Sequence, residues 1–396
     1  MLIHSSLKYQ NRIIISNIMK LFIAICAILA ICAAEETCEK SHTTASGTKA
    51  PRTFCSGELI FEENFDELDF ETWQHEITLA GGGNWEFQVY TNNRSNSFVE
   101  DGNLNIRPSL TADEFTENFL RSGVMNLHGG APADQCTNAQ FWGCERQGTQ
   151  NNIINPITSA RIRTIESFSF KYGKLEISAK MPTGDWLWPA LWMMPKRNVY
   201  GTWPSSGEID IAESRGNTQL MEGDTNVGTE QVGQTLHFGP RYDLNGYPFT
   251  TYNQNRNVNE SFNTMFHTFQ MEWTPESITL SVDNIVSAVI NSTSDDGFWN
   301  RGRFDERRPG VENPWRRNSL MAPFDQEFYM IINLAVGGTA FFGDHLRNPT
   351  RKPWNNDSPR AAADFWEGRD SWLPTWNLKN STDANFMVDY VRVWAL

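Results

Sequence analysis

The chain has 396 residues, 39% hydrophobic, 12% aromatic and 20% charged, with a net charge of −14. So acidic a chain is a poor partner for nucleic acid or an anionic membrane, which leaves a neutral substrate as the easiest to reconcile with it. Beyond the leader, no segment offers the roughly 20 apolar residues that a membrane span needs.

In chain order, "MKLFIAICAILAICAA" (Met19 to Ala34) comes first, with one Lys, an apolar run and a small-residue end. That is the layout of a secretory signal peptide. Residues 1–34 are assigned to it, with Met19 as an alternative start, and the expected protein is secreted, extracellular and monomeric. Its charge becomes −17 once Lys8, Arg12 and Lys20 leave. Of the six Cys, Cys38, Cys55, Cys136 and Cys144 lie outside the leader. An even number in a secreted chain reads as disulfides. Sequence neighbours suggest Cys38–Cys55 and Cys136–Cys144, among the three pairings that four Cys permit. No Cys/His cluster has zinc spacing. Residues 35–57 read as a short Cys-tied extension, and residues 58–396 as one domain. Sequons occur at Asn93, Asn259, Asn291, Asn356 and Asn380.

Within that domain, short alternating segments predominate: "SFVEDGNLNIRP", "YGKLEISAKMP", "FHTFQMEWTPESITLSVDN", "EFYMIINLAVGG" and "NFMVDYVRVWAL". Each is bounded by turn residues, as hairpin and meander strands are. Asp-Gly in the first is a favoured two-residue hairpin turn. The pattern predicts an all-β sandwich or jelly roll. Asn300 to Pro323, rich in Arg and Pro, reads as a long surface loop. In "GDWLWPALWMMP", Trp186, Trp188 and Trp192 would share one strand face. Such a row either packs in the core or stacks on flat sugar rings.

The stretch "TWPSSGEIDIAESRGN" (Thr202 to Asn217) sets Glu208, Asp210 and Glu213 within six residues on an otherwise apolar segment. A helix would spread them by about 140–200°. A regular strand would put Glu208 and Asp210 on one face and Glu213 on the other. One extra residue, a β-bulge at Ile211-Ala212, returns Glu213 to the shared face. Like charges so close cannot all ionise freely, so one pKa rises to give a general acid and another stays low to give a nucleophile. The competing readings are a calcium site, which favours Gly-containing loops over Ile-x-Ile alternation, and a solvated acidic face, for which only Arg215 is near as a partner.

"GEIDIAE", with "WLWPALWMMP" upstream and "VDYVRVW" at the end, resembles glycoside hydrolase family 16, in the branch of invertebrate endo-β-1,3-glucanases and β-1,3-glucan recognition proteins. "CTNAQFWGCER" resembles a disulfide loop of that branch. The resemblance implies a β-jelly roll of two curved antiparallel sheets with a concave substrate cleft, residues 58–396 being the catalytic domain. It implies a retaining mechanism on β-1,3-glucan, with Glu208 as nucleophile, Glu213 as general acid/base and Asp210 tuning the nucleophile. Trp188 and Trp203 match cleft tryptophans, while Asn93 and Arg94 resemble residues that hydrogen-bond sugar hydroxyls. A glycan on Asn93 would then block substrate, so that sequon is expected to be empty. His237 resembles a strand histidine flanking the acids, either structural or in direct contact with the chemistry. No cofactor or metal is expected, although the family admits a structural calcium. The alternative is a non-catalytic recognition protein of innate immunity. Retention of all three acids favours an enzyme, as does the short stretch between leader and domain, too short for the additional binding module of those relatives.

Overall fold

A computed structural model describes residues 38–129, 135–291 and 297–396; the expected leader lies outside them. The hairpin at Asp101-Gly102 illustrates how local chemistry sets the strands. Ser97–Glu100 pairs antiparallel with Asn103–Ile106, and Asp101 (φ 52°) and Gly102 (φ 71°) supply the two left-handed residues of a tight turn. Likewise, "FHTFQMEWTPESITLSVDN" folds as His267–Trp273 and Ser277–Val282, whose residues alternate between buried and wetter positions.

These strands assemble into two large antiparallel sheets. One has eight strands, running from Ile285–Asn291 through Gly173–Lys180 and Phe386–Trp394 to Ser97–Glu100. The other has nine, and its centre is Phe328–Val336, Leu187–Pro195, Glu208–Ser214 and Gln231–His237 in that order. Between the sheets, Leu191, Ile209, Ile211 and Leu236 meet Leu175, Ile177, Phe269 and Leu280, each no more than 2% exposed. Burying each such side chain stabilises the fold by about 1.5–3 kcal/mol. The molecule is a β-jelly roll sandwich, and its one parallel pair among the described residues, Gln88–Tyr90 with Ile157–Ser159, lies in a separate three-stranded sheet.

Two expectations need correction. Asn300 to Pro323 is not a surface loop throughout: part of it forms short helical turns at Gly297–Arg301 and Phe304–Arg307. Phe304, Trp315 and Met321 are buried, and the first two pack on Phe238. The Arg and Pro content signalled an interrupted backbone correctly, but the aromatic residues between them are core. Trp186 does not join a row with Trp188 and Trp192. It sits just before the strand Leu187–Pro195 with φ 70°, and its ring packs inward on Phe342 and Trp354. The N-terminal segment adds an edge strand to the nine-stranded sheet, Thr44–Ser46 pairing with Ser169–Lys171. Cys38–Cys55 and Cys136–Cys144 are bonded, with Cα separations of 5.2 and 5.5 Å.

Candidate active site

The strand Glu208–Ser214 carries the three acids. On one side it pairs Asp210 with Trp192 but Glu213 with Ala190, the register shifting between Leu191 and Trp192. On the other, Asp210 lies opposite Thr235 and Glu213 opposite Gly233, with a shift between Asp210 and Glu213. The extra residue is therefore at Ile211-Ala212. Both of these are fully buried, so the bulge leaves Ile211 in the core while returning Glu213 to the face of Glu208 and Asp210.

An indole fixes each glutamate. Trp203 Nε1–H donates to Glu208 Oε2 at 2.6 Å, and Trp188 Nε1–H donates to Glu213 Oε1 at 2.8 Å. Trp188 is itself held by Phe341, stacked on it with centroids 4.0 Å apart and planes 3° apart. Arg215 lies 3.9 Å over the Phe341 ring and donates to its carbonyl at 3.0 Å. Across the strand pair, His237 Nε2 lies 3.2 Å from Asp210 Oδ2 and 4.0 Å from Glu208 Oε1. Asn245 sets that ring: its Oδ1 accepts from Tyr247 N–H at 3.0 Å, so its Nδ2 faces His237 Nδ1 at 2.7 Å and donates to it. In the neutral ring the proton then sits on Nε2, the nitrogen on the Asp210 side, which is close to Oδ2 without forming an aligned hydrogen bond to it. Tyr247 stacks on the same ring at 5.3 Å.

This packing separates the acids electrostatically. Burial pushes the Asp210 pKa well above its ordinary 3.8, and the charges of Glu208 and Glu213 add to the rise. Glu213 is also raised by burial, against the opposing pull of His237, the Trp188 hydrogen bond and Arg215. Burial alone would lower the His237 pKa, but Glu208, Asp210 and Glu213 outweigh it and bring it up to about 9, whereas the Asn245 amide favours the neutral ring. Burial lowers Arg215 to about 10. The site thus offers a glutamate with a raised pKa, suited to proton delivery, and a second glutamate beyond a buried acid that withholds its own charge. Glu208, Asp210 and His237 also present atoms within 4.8 Å of one another, a donor set able to accept a cation.

The face continues beyond the acids. Trp192 Nε1–H donates to Asn333 Oδ1 at 2.6 Å, and Asn333 Nδ2 donates to Tyr90 Oη at 3.1 Å. Arg161 lies over Tyr90 at 4.5 Å and Trp192 at 5.2 Å. Glu208, Asp210, Glu213, Trp188, Trp203 and His237 are thus brought together. Asn93 and Arg94 are not joined to them by any hydrogen bond or ion pair: Asn93 Oδ1 accepts from Ser95 N–H at 2.9 Å, and Arg94 reaches His75 at 3.2 Å and the Phe70 ring at 4.7 Å. Sequence reasoning missed Phe341, Asn245 and Tyr247. The Gly337-Gly338 pair before Phe341 and the Asn-Gly before Tyr247 were signals for turns, not for what those turns deliver.

A bulged jelly-roll strand with two indole-held glutamates about a buried aspartate defines a carbohydrate-active protein class, and the comparisons agree. The description "Glycosyl hydrolases family 16" matches residues 135–304. A β-1,3-glucan-binding protein of Penaeus monodon is 47% identical, over 85% of this chain and 90% of its own. β-1,3-Glucan-binding protein 1 of Manduca sexta is 34% identical, over 91% of this chain and 68% of its own. The structure of the laminarinase from Rhodothermus marinus is 26% identical with a TM-score of 0.50, covering 86% of this chain and 98% of that one. The chain belongs to glycoside hydrolase family 16, in the branch of the invertebrate β-1,3-glucan-binding proteins. Among the described residues, no helix is long and apolar enough to cross a membrane.

Proposed function

We propose that this protein is a secreted, retaining endo-β-1,3-glucanase. The observation that carries the reading is the pair of glutamates, Glu208 and Glu213, each held by an indole N–H on either side of buried Asp210. In the first step, Glu208 attacks the anomeric carbon while protonated Glu213 gives its proton to the leaving oxygen, whose bond to that carbon breaks. In the second, Glu213 takes a proton from water, which displaces Glu208 and releases the sugar with its configuration retained. Asp210 and His237 orient and tune Glu208. Trp188 and Trp203 border the reacting sugar, and Asn93 and Arg94 are assigned to sugar hydroxyls further along. The reading requires no metal in the donor set of Glu208, Asp210 and His237. The acidic charge and the names of the relatives both favour a neutral β-1,3-glucan as the ligand.

The second reading is glucan recognition without catalysis, and the same relatives' names support it. A Glu208→Gln variant separates the two. Catalysis predicts that laminarin turnover is lost while laminarin is still bound. If the native protein binds laminarin but releases no new reducing ends, recognition without catalysis is the correct reading.

A further inference from the structure

Away from the carboxylates, the Cys136–Cys144 loop carries two aromatic side chains into solvent. Phe141 is 41% and Trp142 71% exposed, and Trp85, 45% exposed, meets them from a neighbouring loop. The Trp85 ring is 5.6 Å from Phe141, edge-on, and 6.4 Å from Trp142. A contiguous group of large rings left in water marks a binding surface. Their backbone supports the same conclusion. Trp85, Phe141 and Trp142 have φ of 51°, 53° and 59°, a left-handed conformation that bulky L-residues avoid.

The loop is built to stay there. The disulfide closes it, and Arg146 Nη2–H donates to the Phe141 carbonyl at 3.0 Å. At Gly143 a Cβ would lie 2.1 Å from the Asn138 carbonyl oxygen, so no side chain fits the turn. A largely buried ion pair links the base of these loops to the face that carries the acids. Glu86, next to Trp85, lies 3.9 Å from Arg161, which in turn covers Trp192 beside the acids.

We propose that Trp85, Phe141 and Trp142 form a distal platform that stacks on the pyranose faces of a β-1,3-glucan chain emerging from the cleft. The proposal rests on the glucan reading given above, and it follows from chemistry. The three rings carry no charge, and the C–H faces of neutral sugars pack on them while any hydroxyls point to water. An acidic protein would repel the anionic alternatives.

The test uses equilibrium binding of laminarin and of laminaritriose in the Glu208→Gln background, so that it does not depend on cleavage. Trp142→Ala is expected to weaken laminarin binding by about tenfold, as loss of an aromatic anchor does. Laminaritriose, which the cleft alone would hold, is expected to bind with less than a twofold change. Trp142→Tyr, which restores a ring, is expected to recover laminarin binding. Unchanged laminarin affinity in a Trp85→Ala/Trp142→Ala variant would overturn the proposal, as would an equal loss for both ligands. A native dimer that Trp142→Ala dissociates would instead make the patch a self-association surface. A native protein that never cleaves laminarin, with the Trp142→Ala loss still present, leaves the platform standing and removes only the catalytic reading.

Discussion

At the scale of single residues, the site works by giving similar carboxyl groups different surroundings. Glu213 has its pKa raised by burial, and the Trp188 N–H, which favours its charged form, restrains the rise. Turnover should fall as pH rises through that raised value, because the proton for the leaving oxygen is lost. Replacing Trp188 by Phe removes the restraint, so the alkaline limb of the pH–rate profile should move to higher pH. A limb that stays put or moves down would show that Glu213 is not the acid. For Asp210, the raised pKa means that its contribution to stability is fully present below its ordinary 3.8 and is lost as pH rises through the folded value. Asp210→Asn lacks that dependence, so its melting temperature should gain on the native protein progressively from about pH 4 upward. A constant difference across pH would contradict this. The three acids were legible because their parity along a strand leaves only a bulge to unite them. Asn245, Tyr247 and Phe341 were not, because they reach the site from turns whose sequences specify backbone shape and not destination.

At the scale of elements, the bulge and the short segments around it decide what the cleft contains. Deleting Ala212 would leave Glu-Ile-Asp-Ile-Glu, in which the acids share a face of a regular strand without any bulge. Circular dichroism and laminarin turnover should therefore find this variant folded and still active at a reduced level. An unfolded product would mean that the bulge is needed by the sheet and not only by the site. The bulge could be placed from sequence since Ile211 had to stay inside; it does, at 0% exposure. The tryptophan row could not. Trp186 obeys the spacing, but the strand begins at Leu187, and a left-handed residue ahead of it turns the ring into the core. The stretch from Asn300 to Pro323 misled in the opposite direction. Its Trp315 Nε1–H donates to the Ser205 carbonyl at 2.8 Å, bracing the loop that presents Trp203.

At the scale of the whole molecule, alternation and turn residues made the sandwich legible, since strands with one wet face alternate, as His267–Trp273, Ser277–Val282 and most of Phe386–Trp394 do in the eight-stranded sheet. Phe328–Val336, buried at every position, is apolar except for Asn333, because the nine-stranded sheet has core on one side and the packed face around Trp188 and Trp192 on the other, where Asn333 is satisfied by Trp192 and Tyr90. The disulfides act on the unfolded chain. Replacing Cys136 and Cys144 by Ser frees a short loop and should cost about 2–3 kcal/mol, read as a lower midpoint in denaturant. An unchanged midpoint would mean that the loop contributes only to binding. The account as a whole depends on whether the two indole-held glutamates break glycosidic bonds with retention. The direct measurement is proton NMR of laminarin incubated with the native protein, following the anomeric signals from the first minutes. New β-anomeric reducing ends appearing first are the predicted result; α-anomers appearing first, or no new reducing ends at all, would contradict it.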